Sequence, residues 1–168
     1  NDQTNVFDNN GGLNYQVPVG ACVVVTNYFV MDGTNDSPGF EVSSTGMKIL
    51  AALRSNNVYV ATWSANGGGN DHFVYITDAF GAPEPAAWAK AGSVFFSKAG
   101  KPYLAAEQSN GTNFLNNGGS AGRVAMGANG QVFEAEFNLE QVFGYVPEKL
   151  YIAALAYGTG DGGTIQSQ

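Results

Sequence analysis

The feature that most constrains this chain is its period: apolar and polar residues alternate at every second position, and turn formers break the alternation at short intervals. Alternation of that kind places successive side chains on opposite faces of a strand. No stretch long enough for a stable helix keeps a helical repeat. The pattern predicts strands at Cys22–Met31, Met47–Arg54, Val58–Ser64, Asp71–Asp78, Val94–Ser97, Tyr103–Gln108, Arg123–Gly127, Gln131–Asn138 and Leu150–Gly158. Turn clusters separate them, including 32–39, Ser55-Asn56-Asn57 and Asn129-Gly130. The Gly-rich loop 65–70 predicts a hairpin of Val58–Ser64 with Asp71–Asp78. The Lys98–Pro102 turn likewise predicts pairing of Val94–Ser97 with Tyr103–Gln108.

Helix is scarce. Asn138 is placed to cap a short helix, Leu139–Phe143, with Gly144 as its stop. Ala86–Lys90 has room for a single turn. About nine or ten short strands and one short helix predict an all-β antiparallel β-sandwich of jelly-roll-like form. An up-and-down barrel leaves the same linear pattern. The 168 residues suit one domain, 1–168, with 1–14 polar enough to be loosely held.

The strand faces sort the side chains before any chemistry is asked of them. On Gln131–Asn138, Phe133, Ala135 and Phe137 form one face and are expected in the core. Glu134 and Glu136 share the other, which is expected to meet water or a ligand. Leu150–Tyr157 is apolar on both faces and is expected to be central and covered on both sides. If the 58–64 and 71–78 strands pair, Tyr59, Trp63, Phe73 and Tyr75 form one aromatic face.

Composition narrows the function classes. Charged residues are 12% of the chain and the net charge is −7, which argues against nucleic acid or an anionic membrane as partner. No apolar run reaches membrane-spanning length. One cysteine (Cys22) and one histidine (His72) leave a structural zinc site short of ligands and allow no internal disulfide. A first residue other than Met fits a processed secretory protein or a piece cut from a longer one, and a surface built from Asn, Gly, Ser and Thr favours an extracellular or cell-surface location.

Four segments carry a resemblance in their order along the chain. They are Met31-Asp32-Gly33-Thr34-Asn35-Asp36, then Asn57–Thr62 followed by Asp71–Asp78, and finally Tyr157-Gly158-Thr159-Gly160-Asp161-Gly162-Gly163. This order resembles the carbohydrate-binding family 9-like and DOMON group of extracellular β-sandwiches, across residues 30 to 165. The segment Ala87–Gly92 resembles a loop of bacterial surface members. The resemblance implies binding of sugars or haem, or service as an accessory module of secreted or surface proteins.

Each candidate residue has a functional and a plain reading. Flat aromatic rings stack on pyranose faces while Asn, Asp and Glu at the rim read hydroxyls. Trp88 lies in a Pro/Ala-rich loop, as a platform or as a plug for the sandwich end. Trp63 lies on a strand, where core packing competes with a ligand role. Asn70, Glu134 and Glu136 are the hydrogen-bonding candidates. Asp32, Asn35 and Asp36 supply oxygens suited to Ca²⁺, or simply form turns. Glu134 and Glu136, about 7 Å apart on one strand face, have a spacing open to glycosidase chemistry and equally that of two wet strand residues. His72 has no nucleophile elbow to serve. With Met31, Met47 and Met126 it could supply haem ligands, and Met as core filler accounts for the same residues.

The resulting expectation is a secreted or cell-surface module that binds polysaccharide or glycan without cleaving it. Trp88 and Trp63 would stack on sugar, with structural calcium at Asp32 and Asp36. The alternatives are a structural or adhesive module that packs on neighbouring surface proteins, and a haem-binding DOMON-type domain.

Overall fold

Two antiparallel sheets lie face to face in the computed structural model, which describes residues 15–18, 30–34, 40–43, 47–63, 71–94, 102–107, 110–112, 122–127 and 132–168. In chain order the strands are β1 (Tyr15–Pro18), β2 (Phe40–Ser43), β3 (Lys48–Arg54), β4 (Asn57–Trp63), β5 (Asp71–Thr77), β6 (Glu84–Pro85) and β7 (Ser93–Val94). They continue with β8 (Tyr103–Glu107), β9 (Asn110–Thr112), β10 (Gly122–Met126), β11 (Val132–Asn138), β12 (Lys149–Tyr157) and β13 (Ile165–Ser167). One sheet, here the β5 sheet, has the order β1-β12-β5-β8-β9, with β13 also on β12. The other, the β4 sheet, has the order β10-β11-β4-β3-β2. The all-β sandwich reading therefore holds.

The period-two pattern explains which residues meet between the sheets. Ile49, Ala51, Val58, Val60, Phe133, Ala135 and Phe137 face inward from the β4 sheet. Val74, Ile76, Leu104, Ala106, Leu150, Ile152, Ala154 and Ala156 answer them from the β5 sheet. Fully burying one such large side chain contributes about 1.5–3 kcal/mol, so this layer is the main source of stability. As expected, β12 is covered on both faces. Its outward residues Ala153, Leu155 and Tyr157 join Phe73, Tyr75, Tyr103 and Ala105 in a second apolar cluster. A flap covers that cluster: the ribbon of β6 with β7, and between them a 3₁₀ turn at Ala87–Ala89.

The helix α1 (Leu139–Phe143) forms where its caps predict it. The Asn138 side chain accepts from the Gln141 N–H at 2.9 Å, and Gly144 ends the helix in the left-handed region at φ 83°. The β10–β11 hairpin is also as expected.

Two pairing expectations are corrected. Strands β4 and β5 do not form a hairpin, because both edges of each are already taken: β4 lies between β3 and β11, and β5 between β12 and β8. The chain crosses from one layer to the other between them. A Gly-rich composition is compatible with either path and cannot choose between hairpin and crossover. The aromatic face expected across that hairpin is consequently split between the two sheets. Val94 pairs with Glu84 rather than with the 103–107 strand, which pairs with β5 and β9, while residues 95–97 lie outside the described residues. Of the strand expected at Cys22–Met31, residues 22–29 also lie outside them, and Val30 and Met31 are not in a strand.

Candidate functional site

The outer face of the β4 sheet gathers the largest share of the sequence candidates. On β4, Val58, Val60 and Thr62 point to the core, so Asn57, Tyr59, Ala61 and Trp63 point outward. The register aligns these in rows with their neighbours. Ala52, Tyr59, Glu136 and Arg123 form one row; Leu50, Ala61, Glu134 and Ala125 form the next; Lys48, Trp63 and Val132 form the last. Directly opposed side chains on one face lie close enough to interact.

The Tyr59 row is a connected polar network. Glu136 accepts from Asn57 Nδ2 at 2.5 Å and from Arg123 Nε at 2.5 Å, and Arg123 Nη2 completes the ion pair. Asn138 Nδ2 donates to Asn57 Oδ1 at 2.9 Å. Burial, then the hydrogen bond to Glu136, raises the pKa of the Tyr59 hydroxyl. Arg123 stays mostly in solvent, whereas Glu136 is only 5% exposed.

Glu134 is closed off by a different device. Its Oε2 accepts from the backbone N–H groups of Asp32 at 2.9 Å and Gly33 at 2.7 Å. The segment 30–34 thus lies as a strap over β11. Gly33 has φ 78°, and a Cβ there would collide with the backbone of Met126 and Gly127, so only glycine fits. The expectation that Glu134 and Glu136 meet water is therefore corrected, since they are 1% and 5% exposed. Alternation identified their face; it could not show that a strap and an Arg–Asn–Tyr cluster would cover it.

The two tryptophans lie on opposite sides of the molecule. Trp63 is 39% exposed at the end of the β4 row. Trp88 belongs to the flap over the β5 sheet, half-buried, with its ring edge-on to Phe73 at 4.8 Å. It also hydrogen-bonds Tyr103. The Ala87 N–H donates to the Tyr75 hydroxyl at 3.1 Å, which pins the flap beside it. Trp88 therefore caps the second apolar cluster. The structure brings Trp63, Glu134 and Glu136 to one face and leaves Trp88 on the other, so the two rings cannot clasp one sugar. Asn70 and Asp36 lie outside the described residues.

The metal and haem candidates have local roles. Asp32 Oδ1 accepts the N–H of Thr34 at 2.8 Å and its hydroxyl at 2.6 Å, an Asx turn that also lowers the pKa of the carboxyl. Among the described residues no group of three or more His, Cys, Asp or Glu gathers as a metal set. Of the expected Ca²⁺ ligands Asp32 and Asp36, Asp32 is the one within the described residues. His72 points into the space between the sheets beside Phe133 and is 1% exposed. Met47 fills the same core.

The sequence reading missed the aromatic pair Phe80 and Tyr151, and Tyr145 beside Asp78. Phe80 packs on Tyr151 with ring centroids 4.3 Å apart, and the Tyr145 hydroxyl donates to Asp78. Phe80 and Tyr145 are about half exposed. For Phe80 and Tyr145 a signal was present: the first follows a strand and the second a helix stop, where an aromatic has no core to enter.

No family model, curated protein or solved structure matches this chain. Among the described residues no helix is long and apolar enough to cross a membrane. The class is defined by fold alone, as a two-sheet antiparallel β-sandwich.

Proposed function

We propose that this chain is a non-catalytic carbohydrate-binding module of a secreted or cell-surface protein, with the outer face of the β4 sheet as its binding face. The observation that carries the reading is Trp63, which is 39% exposed on the same outward face of β4 as Tyr59. A ring in that setting offers a pyranose an apolar surface, and the exposed Arg123, held in place by Glu136 in the network beside Tyr59, offers a hydrogen-bond donor. The resemblance of residues 30 to 165 to the carbohydrate-binding family 9-like and DOMON group, whose members bind sugars or haem, is compatible with this reading. The two carboxyls are committed to the strap and to Arg123, which favours binding over bond cleavage.

The test is a glycan array followed by titration of tryptophan fluorescence, comparing the parent chain with Trp63→Ala. The expected result is a glycan response that the substitution abolishes and Trp88→Ala retains. A response indifferent to Trp63 would remove this face from the reading. The adhesive alternative has its own observation, the exposed Phe80, Tyr145 and Val146. Self-association that is lost in a Phe80→Ser/Tyr145→Ser variant, with no glycan response, would select it.

A further inference from the structure

Lys90 and Asp71 meet in a setting that the glycan reading does not use. Lys90 Nζ lies 2.6 Å from Asp71 Oδ2, and the two side chains are 2% and 5% exposed. The ammonium also donates to the carbonyls of Gly158 at 2.9 Å and Gly160 at 2.7 Å, so it is held in one place. Asp71 Oδ1 is buried with no hydrogen-bond partner among the described residues. A buried carboxylate with one oxygen unpaired is a costly arrangement, even when the other oxygen is in an ion pair.

The neighbours supply the rest of a reaction site. Asp71 stands between Tyr157 of β12 and Glu107 of β8 in the register, all on the outer face of the β5 sheet. Phe73 lies two residues on along the same face. Directly opposed side chains of an antiparallel pair have Cβ atoms about 4.5–5.5 Å apart, and of the two residues opposite Asp71 it is Glu107, an exposed side chain, that carries a carboxyl.

We propose that Lys90 and Asp71 condense into an intramolecular amide cross-link, with Glu107 relaying the proton. The Lys90 ammonium gives up a proton to the Asp71 carboxylate by way of Glu107, leaving an amine beside a neutral acid. The amine Nζ attacks Cγ; the Nζ–Cγ bond forms and the Cγ–Oδ2 bond breaks. Oδ2 departs as water, carrying two of the three ammonium protons, and the third remains on the amide nitrogen. The positive and negative charges cancel, and no oxidant, reductant or other reactant is consumed. Oδ1 becomes an amide carbonyl, which tolerates burial better than a carboxylate oxygen. The amide N–H keeps a carbonyl partner in Gly158 or Gly160.

The bond would fasten the flap to the first residue of β5. That flap is under strain, because Trp88 and Ala89 both have left-handed backbones, at φ 53° and 50°. A chain with one cysteine has no internal disulfide to offer in its place.

The measurement is the intact mass of the purified full chain, followed by tryptic mapping. The expected mass is the sequence mass less one water. The mapping should lose cleavage after Lys90 and yield residues 55–98 as one peptide, also one water light. The unmodified sequence mass overturns the proposal. So does a water loss that leaves cleavage after Lys90 intact, since that places the dehydration elsewhere. Lys90→Arg should return the full mass. Glu107→Gln, folded by circular dichroism, should accumulate the uncross-linked form; full cross-linking there would take Glu107 out of the step.

Discussion

His72 on β5 and Phe133 on β11 face each other across the space between the sheets, with ring centroids 6.1 Å apart and planes tilted by 45°. Neither ring nitrogen of His72 has a hydrogen-bond partner among the described residues. Burial strips water from the imidazolium and pushes the pKa from 6.5 to about 4, against a smaller opposing pull from Asp71. The unfolded chain therefore binds a proton near pH 6.5 that the folded chain refuses until about pH 4. Stability from this group is present above pH 6.5 and falls as pH drops through that window. A displacement of this size is worth on the order of 3 kcal/mol. Urea unfolding of the parent and of His72→Leu, across the same pH range, should show the acid-side slope reduced in the variant. Equal slopes would assign the acid sensitivity to other groups.

The strap makes a second prediction. Glu134→Ala leaves the Asp32 and Gly33 N–H groups without their carboxylate and should cost about 1–3 kcal/mol. Gly33→Ala forces a side chain into left-handed backbone pressed on Met126 and Gly127, and should cost at least about 2 kcal/mol. Both changes release the same contact, so the double variant should lose less than the sum. Strict additivity in denaturant titrations would show that the carboxylate and the glycine act separately.

How far this was legible in the sequence depends on the range of the interaction. The Asn138 cap, the Gly144 stop and the inward set Phe133, Ala135 and Phe137 are local or periodic, and each could be read from neighbouring residues. The double covering of β12 was legible too, because both of its faces are apolar. The partnership of β4 with β11, and of β5 with β12, depends on contacts between residues far apart in sequence, and no turn composition encodes it. For the same reason Glu134 looked like a wet residue: its partners, Asp32 and Gly33, stand about a hundred positions away, at a separation of 101 to 102 residues. Lys90 gave no signal at all, since a lone lysine in a loop reads as solvated. Only the fold brings it to Asp71.

The two tryptophans should separate stability from binding. Trp63 is exposed and flanked by Lys48 and Val132, so Trp63→Ala should change stability by about 1 kcal/mol or less. Trp88 seals the second cluster and meets Phe73 edge-on, a contact worth about 0.5–1.5 kcal/mol beyond its buried area. Trp88→Ala should therefore lower the melting temperature clearly while Trp63→Ala barely moves it. The reverse order would mean that the flap contributes little and that Trp63 is held by the sheet.

The β3–β4 turn offers a stabilising change. Arg54 pairs with Asn57, so Ser55 and Asn56 form a two-residue hairpin loop. Of the two only Ser55 has a positive φ, at 50°, which is the pattern of a type II′ turn and favours glycine at that position. Its side chain is exposed, whereas Asn56 is needed: its side chain donates to Glu140 at 2.8 Å and its carbonyl accepts from the Leu139 N–H at 2.7 Å. Relief of left-handed strain is worth about 1–2 kcal/mol, and the extra freedom of glycine in the unfolded chain returns roughly 0.5–1 kcal/mol. Ser55→Gly should accordingly raise stability by about 0.5–1 kcal/mol. Ser55→Val, with a branched Cβ in the same backbone, should lower it by more than that. Parallel urea titrations of the two variants against the parent check the sign; destabilisation by glycine would mean that Ser55 holds the turn through its side chain.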